Sequence, residues 1–151
     1  MADTEKLRQR LEEMLKDHLG VTELVTDAEG DYPVRAGSAK YYVRLDDEDT
    51  SVVRVYAHIL VGVPASAQLY ETLNAVNGHI TFGRMFHQGE AVLASTELVA
   101  ETLDPEELVR SCQSIADLAD RYDDLFKAEF GGTRFFEDDE AEQPENTATS
   151  S

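Results

Sequence analysis

Apolar residues in this chain recur at three- and four-residue spacing near both ends of the sequence and at two-residue spacing in between. Leu7, Leu11, Met14, Leu15 and Leu19 form one stripe, which predicts a helix over residues 4–19 with Asp3 as its cap and Gly20 as its stop. Residues 21–37 are mixed. A short TELV piece is followed by the turn signal Gly30-Asp31-Tyr32-Pro33 and an extended segment around Val34 and Arg35, which predicts an additional edge strand. Residues 39–45 alternate cleanly, residues 46–50 form an acidic turn, and residues 51–61 are a β-branched run, so the two segments are expected to pair as an antiparallel hairpin.

Pro64 is expected to open a central helix at its first position, where a missing N–H costs nothing. Leu69, Leu73 and Val76 would be its buried stripe and Asn77-Gly78 its end. A second hairpin follows over residues 80–87 and 91–98, turning at Gln88-Gly89, where glycine can take a positive φ. The last helix is announced by Asp104-Pro105-Glu106-Glu107, which combines an N-cap acid, a first-turn proline and a capping-box glutamate. Its stripe is Leu108, Cys112, Ile115, Ala119, Tyr122, Phe126 and Phe130, and Gly131-Gly132 ends it. Phe135-Phe136 are expected to dock back on the domain. The predicted fold is α+β: an antiparallel sheet flanked by helices in the order helix, hairpin, helix, hairpin, helix, forming a single domain over residues 1–136. Residues 137–151 carry six acids, no Lys or Arg and no aromatic residue, so they read as a disordered acidic tail.

Charge sharpens this picture at one place. The chain has 13 Lys plus Arg against 31 Asp plus Glu, a formal charge of −18, yet several of its cations fall on predicted strands. Strand parity puts Tyr41, Val43, Leu45, Val53, Val55, Ala57 and Ile59 on one face, under the helices. Lys40, Tyr42, Arg44, Arg54, Tyr56 and His58 share the other face, with Val52 and Leu60 supplying an apolar edge. Aromatic bodies with cationic tips suit a partner offering apolar side chains and carboxylates, such as an acidic peptide. The same residues would also arise from cross-strand pairing with the protein's own acids, from a solvated face, or from a surface meeting a second copy; the acidic tail could occupy it too. Arg84, between Phe82 and Phe86, needs a carboxylate partner, and Glu71 and Asp123 are candidates. Gly83 beside it suggests a bulge or a close backbone approach, while Asn74 and Asn77 are placed to pin the turn into the third strand.

The order of elements, together with Leu69-Tyr70-Glu71, Leu73-Asn74, Asn77, Phe82-Gly83-Arg84-Met85-Phe86, Ala91-Val92-Leu93-Ala94 and the stretch over residues 116–123, resembles the bacterial YbjN and type III secretion chaperone-like superfamily. The resemblance covers residues 4–132. It implies a small α+β domain, commonly dimeric and without enzymatic activity, whose secretion-chaperone members hold effector segments in extended form.

Other chemistry is thinly represented. His18, His58, His79 and His87 lack paired zinc spacing, Cys112 sits within an apolar stripe, and Asp46-Asp47-Glu48-Asp49 lacks the glycine and distal glutamate of an EF-hand loop, so no metal or other cofactor is expected. No Walker loop, nucleophile elbow or dinucleotide fingerprint occurs. The net charge disfavours nucleic acid and anionic membranes as partners. A single cysteine and the lack of a signal-peptide block or spanning run suggest a soluble cytoplasmic protein. The expectation is a non-enzymatic chaperone or adaptor, homodimeric, that holds an extended client segment on its sheet through Lys40, Tyr42, Arg44, Val52, Arg54, Tyr56, His58 and Leu60. The alternative is a regulatory or structural homodimer without a client.

Overall fold

The structure, a computed structural model, describes residues 4–37, 39–47 and 51–134, together with the backbone of residues 146–147. Helix α1 (Thr4–Leu19) buries Leu7, Leu11, Met14, Leu15 and Leu19, the five residues of its sequence stripe. Helix α3 (Pro105–Phe130) begins on Asp104, whose carboxylate accepts from the Glu106 N–H at 2.8 Å, and ends where the Gly131 N–H caps Lys127. Its buried face includes Leu108, Cys112, Ile115, Ala119 and Phe126, with Tyr122 and Phe130 partly buried at its edge.

Five strands form the body of the sheet: β1 (Tyr32–Ala36), β2 (Ala39–Asp46), β3 (Val52–Val61), β4 (Arg84–Gln88) and β5 (Ala91–Val99). They lie in the order β4-β5-β3-β2-β1 and pair antiparallel throughout. The extra edge strand read around Val34 and Arg35 is therefore present as β1. Two short strands complete the sheet. β6 (Thr133–Arg134) pairs with the end of β3, and β7 (Asn146–Thr147) runs parallel to β1.

The expected alternation holds along β3 as far as Ile59, whereas β2 is buried continuously from Ala39 to Val43. Tyr41, Val43, Val53, Val55, Ala57 and Ile59 are buried, with α3 lying across β2, β3 and β5, α1 against α3, and α2 (Ala67–Asn77) against β4. Leu60 departs from it. The β3–β5 register slips between His58, opposite Leu93, and Leu60, opposite Val92, so one residue is inserted there. Ile59 and Leu60 are consequently both buried in succession.

Two element starts also differ from the sequence reading. Helix α2 begins at Ala67, because Ser66 rather than Pro64 supplies the start: its Oγ accepts from the Leu69 N–H at 3.1 Å. Strand β4 begins at Arg84, because Gly83 holds a φ of +90°, outside strand geometry, and a Cβ there would lie 3.1 Å from the Ser95 carbonyl oxygen. Gly83 is thus a close backbone approach. The cap assigned to Asp3, most of the acidic turn beyond Asp47, the docking of Phe135-Phe136 and the tail, apart from β7, lie outside the described residues.

Candidate functional site

The face of the sheet turned away from α1 and α3 carries the cations. At its β1–β2 side, Asp31 is 1% exposed and stands just before β1, where its carboxylate accepts from Arg44 Nε and Nη2, both at 2.8 Å, and from the Tyr56 hydroxyl at 2.6 Å. A buried carboxylate with three charge-assisted or hydroxyl donors is well compensated. Arg44 also reaches Glu29 at 3.2 Å. Its guanidinium lies 5.6 Å from the Tyr56 ring centre, and Tyr56 stacks on Tyr42 at 5.1 Å with an interplanar angle of 17°. The contacts with Asp31 hold Arg44 firmly in its charged form, while burial and the Asp31 hydrogen bond push the Tyr56 hydroxyl well above the usual phenol range.

His58 meets both tyrosine rings edge-on, at 5.9 Å to Tyr56 and 6.2 Å to Tyr42. Burial among these rings lowers its pKa, with Glu29 partly offsetting the effect.

On the β3–β5–β4 side, one carboxylate collects two arginines. Glu97 Oε1 accepts from Arg54 Nε at 3.2 Å, from Arg84 Nη2 at 3.3 Å and from Ser95 Oγ at 3.0 Å. The register that sets Arg54 opposite Glu97 and Arg84 opposite Ser95 makes this geometry. Arg54 bonds Asp46 as well, at 2.9 Å, and Arg84 covers the Phe86 ring at 4.8 Å. The partner of Arg84 is therefore Glu97, not Glu71 or Asp123; Asp123 lies against Arg134.

Between these two clusters runs an open groove of about 840 Å³, lined among others by Tyr56, His58, Phe86, Leu93, Arg54 and Arg84. Four of the eight residues expected to bind a partner line it: Arg44, Arg54, Tyr56 and His58. The others do not. Lys40 and Tyr42 are buried, with the Lys40 ammonium 6.0 Å from the Tyr42 ring centre, and Leu60 is turned into the core by the β3 irregularity. Val52 and Leu60 form no edge, because β3 lies between β2 and β5.

The groove also contains what strand parity within one hairpin could not reveal. Phe86, Leu93, Ser95 and Glu97 come from β4 and β5, and they join the site only through the β3–β5 register. Glu29 comes from the turn before β1. The clearest hint was the alternation of Phe82, Arg84 and Phe86. The arginines expected to meet a client's carboxylates are matched by Glu29, Asp31, Asp46 and Glu97 of the chain itself, so the groove offers an apolar floor within a balanced rim of charges.

The outer strands of the five-stranded body are β4 and β1, and β7 lies beyond β1. At β4, Asn77 treats the backbone of Met85 as a neighbouring strand would: its Nδ2 donates to the Met85 carbonyl at 2.9 Å and its Oδ1 accepts from the Met85 N–H at 2.8 Å. This is the pinning role that its position suggested. Cys112 is fully buried beside Tyr41, and its thiol is pushed up to about 12 by that burial. Among the described residues, no group of three or more His, Cys, Asp or Glu is placed to hold a metal ion, and no helix is long and apolar enough to cross a membrane.

Comparison with known proteins adds to this geometry. The profile of TY-Chap1, described as T3SS (YopN, CesT) and YbjN peptide-binding chaperone 1, matches residues 5–138. A search of curated proteins gives no match. Among solved structures, the ExsC–ExsE complex aligns with a TM-score of 0.62 at 18% identity, covering 83% of this chain and 96% of the other. The HopA1–SchA chaperone–effector complex aligns with a TM-score of 0.63 at 11% identity, over 82% and 99% of the two chains. The Yersinia pestis type III secretion chaperone SycH, in complex with a stable fragment of YscM2, aligns with a TM-score of 0.52 at 22% identity, over 75% and 96%. At these identities the structures establish the shared α+β fold. The profile match, which runs through every helix and all five main strands, establishes more: the chain belongs to the TY-Chap1 family of type III secretion and YbjN peptide-binding chaperones.

Proposed function

We propose that this peptide-binding chaperone-like domain holds an extended segment of a client protein along the outer groove, without chemistry on it, as a homodimer in the cytoplasm. The observation that carries the reading is the groove itself. It is open and lined by Tyr56, His58, Phe86 and Leu93, half-buried side chains with apolar surface left to cover. Small-molecule sites instead enclose most of their ligand. The ion pairs at its rim hold arginine side chains in place before a client arrives, which lowers the ordering cost of binding. Because those pairs are already satisfied, affinity is expected to come from apolar client residues. The family supports a peptide client. Homodimerisation is supported by the exposed Tyr70 on α2 and Phe82 between α2 and β4, aromatic residues that are more than half exposed.

A photocrosslinking amino acid in place of Phe86, compared with one in place of the exposed Lys6 on α1, tests the groove in native cell extract. The expected result is capture of one discrete protein from the Phe86 position, abolished by adding Leu93→Asp, with the melting temperature held within a few degrees. Equal capture from Lys6, or capture indifferent to Leu93→Asp, would rule the groove out.

A further inference from the structure

We propose that the chain's own segment around Asn146–Thr147 occupies the β1 edge in cis, as an extended occupant that any strand pairing at that edge must displace. Among the described residues every pairing in the sheet is antiparallel except this one, in which Val34 faces Asn146 and Arg35 faces Thr147 in parallel. A parallel partner cannot come from a tight hairpin; it has to be delivered by a long connection or by another chain. The connection here is long enough. β6 pairs with Leu60 and Val61 on the side of β3 opposite β5, which is the side of β2. From there the slot beyond β1 is two strand spacings away, about 10 Å. The chain from Arg134 to Asn146 reaches roughly 40 Å when extended.

Two further observations favour this edge and this occupant. The opposite edge, β4, is engaged near its start by Asn77, which bonds both backbone groups of Met85, and α2 packs against it. β1 is the edge at which an added strand is seen. The chain leading to β7 is acidic, with Glu137, Asp138, Asp139, Glu140, Glu142 and Glu145 and no Lys or Arg. At the β1 edge, Arg35 stands opposite Thr147, so the register sets a cation beside the incoming strand. Complementary charge of this kind fixes register and orientation more than it adds affinity. A weakly held occupant of its own sequence keeps the edge from pairing with other sheets, yet yields it to a better strand.

Two experiments on the full chain test this, and neither needs a client, so their failure is distinct from failure of the groove reading. In the first, Arg35→Cys/Thr147→Cys is oxidised beside Lys6→Cys/Thr147→Cys, with buried Cys112 left in place. Rapid loss of two thiols at monomer mass in the first pair alone is the expected result. Equal rates in both pairs, or a disulfide-linked dimer, would overturn the assignment to the same copy. In the second, a fluorescent peptide of residues 140–151 is titrated into wild type and into Asn146→Pro/Thr147→Pro, which removes both strand donors. The proline variant is expected to bind the peptide at least tenfold more tightly than wild type, and Arg35→Glu added to it to reverse the gain. Equal affinity of the wild type and the proline variant would overturn the proposal.

Discussion

At the scale of single residues, the outer face shows how much the meaning of a cation depends on what stands opposite it. Lys40, Arg44, Arg54, Tyr56 and His58 could be assigned to one face from alternation alone. Their partners could not, because Asp31 enters from a turn and Glu97 from β5, and only the pairing register brings them in. His58 yields a measurable consequence. Burial lowers its pKa in the folded protein below the ordinary value of about 6.5 that it has when unfolded. Neutral imidazole therefore favours the fold; this contribution is complete above about pH 6.5 and is lost as pH falls from there toward the folded value, where the unfolded chain binds more protons. Urea unfolding at about pH 7.5 and 5.5 is expected to show the wild type losing more stability than His58→Gln as pH falls, by at most about 1.4 kcal/mol per pH unit. Parallel curves would show that His58 does not sense the fold.

At the scale of elements, the helices were the most legible parts, because burial on one side imposes a period that the sequence must carry. The five buried residues of α1 and the Asp104 cap of α3 follow directly from the sequence pattern. Less was legible where a backbone exception decides the outcome. The extra residue in β3 turns Leu60 inward without any sequence mark, and Gly83, though recognisable as a special position, could equally have meant a bulge within the strand or the close approach that delays β4 to Arg84. Asn77 is the element-scale device with the sharpest test. Asn77→Ala removes two hydrogen bonds to Met85, a loss of about 1–3 kcal/mol at typical values. It also uncovers the β4 edge, and exposed edges pair with other chains. The variant is expected to unfold at lower urea and to form concentration-dependent oligomers in light scattering, whereas Asn77→Asp, which keeps the acceptor for the Met85 N–H, should associate less. A stable, monodisperse Asn77→Ala protein would show that β4 is protected by something else.

At the scale of the whole molecule, a charge of −18 sets the terms on which two copies can meet. The outer groove is nearly balanced, so the surplus of acid lies elsewhere: the exposed side of α3 contributes Glu106, Glu107, Asp120, Asp124 and Glu129. Two such molecules repel each other over the Debye length, which is about 30 Å at 0.01 M salt and about 8 Å at 0.15 M. If the contact that joins them is apolar, centred on Tyr70 and Phe82, nothing in the interface opposes this repulsion except burial, which salt leaves intact. Homodimerisation should then strengthen as salt rises. Sedimentation velocity between those two salt concentrations is expected to show the dissociation constant falling about tenfold or more, a gain of about 1.4 kcal/mol or more, and Phe82→Asp is expected to leave monomers at both. An interface built from the arginine clusters predicts the opposite slope, because screening weakens ion pairs, and it would be sensitive to Arg54→Glu instead. A chain that stays monomeric at every salt concentration would remove the homodimer from the proposed function while leaving the groove and its client untouched, since all of the groove's lining comes from one chain.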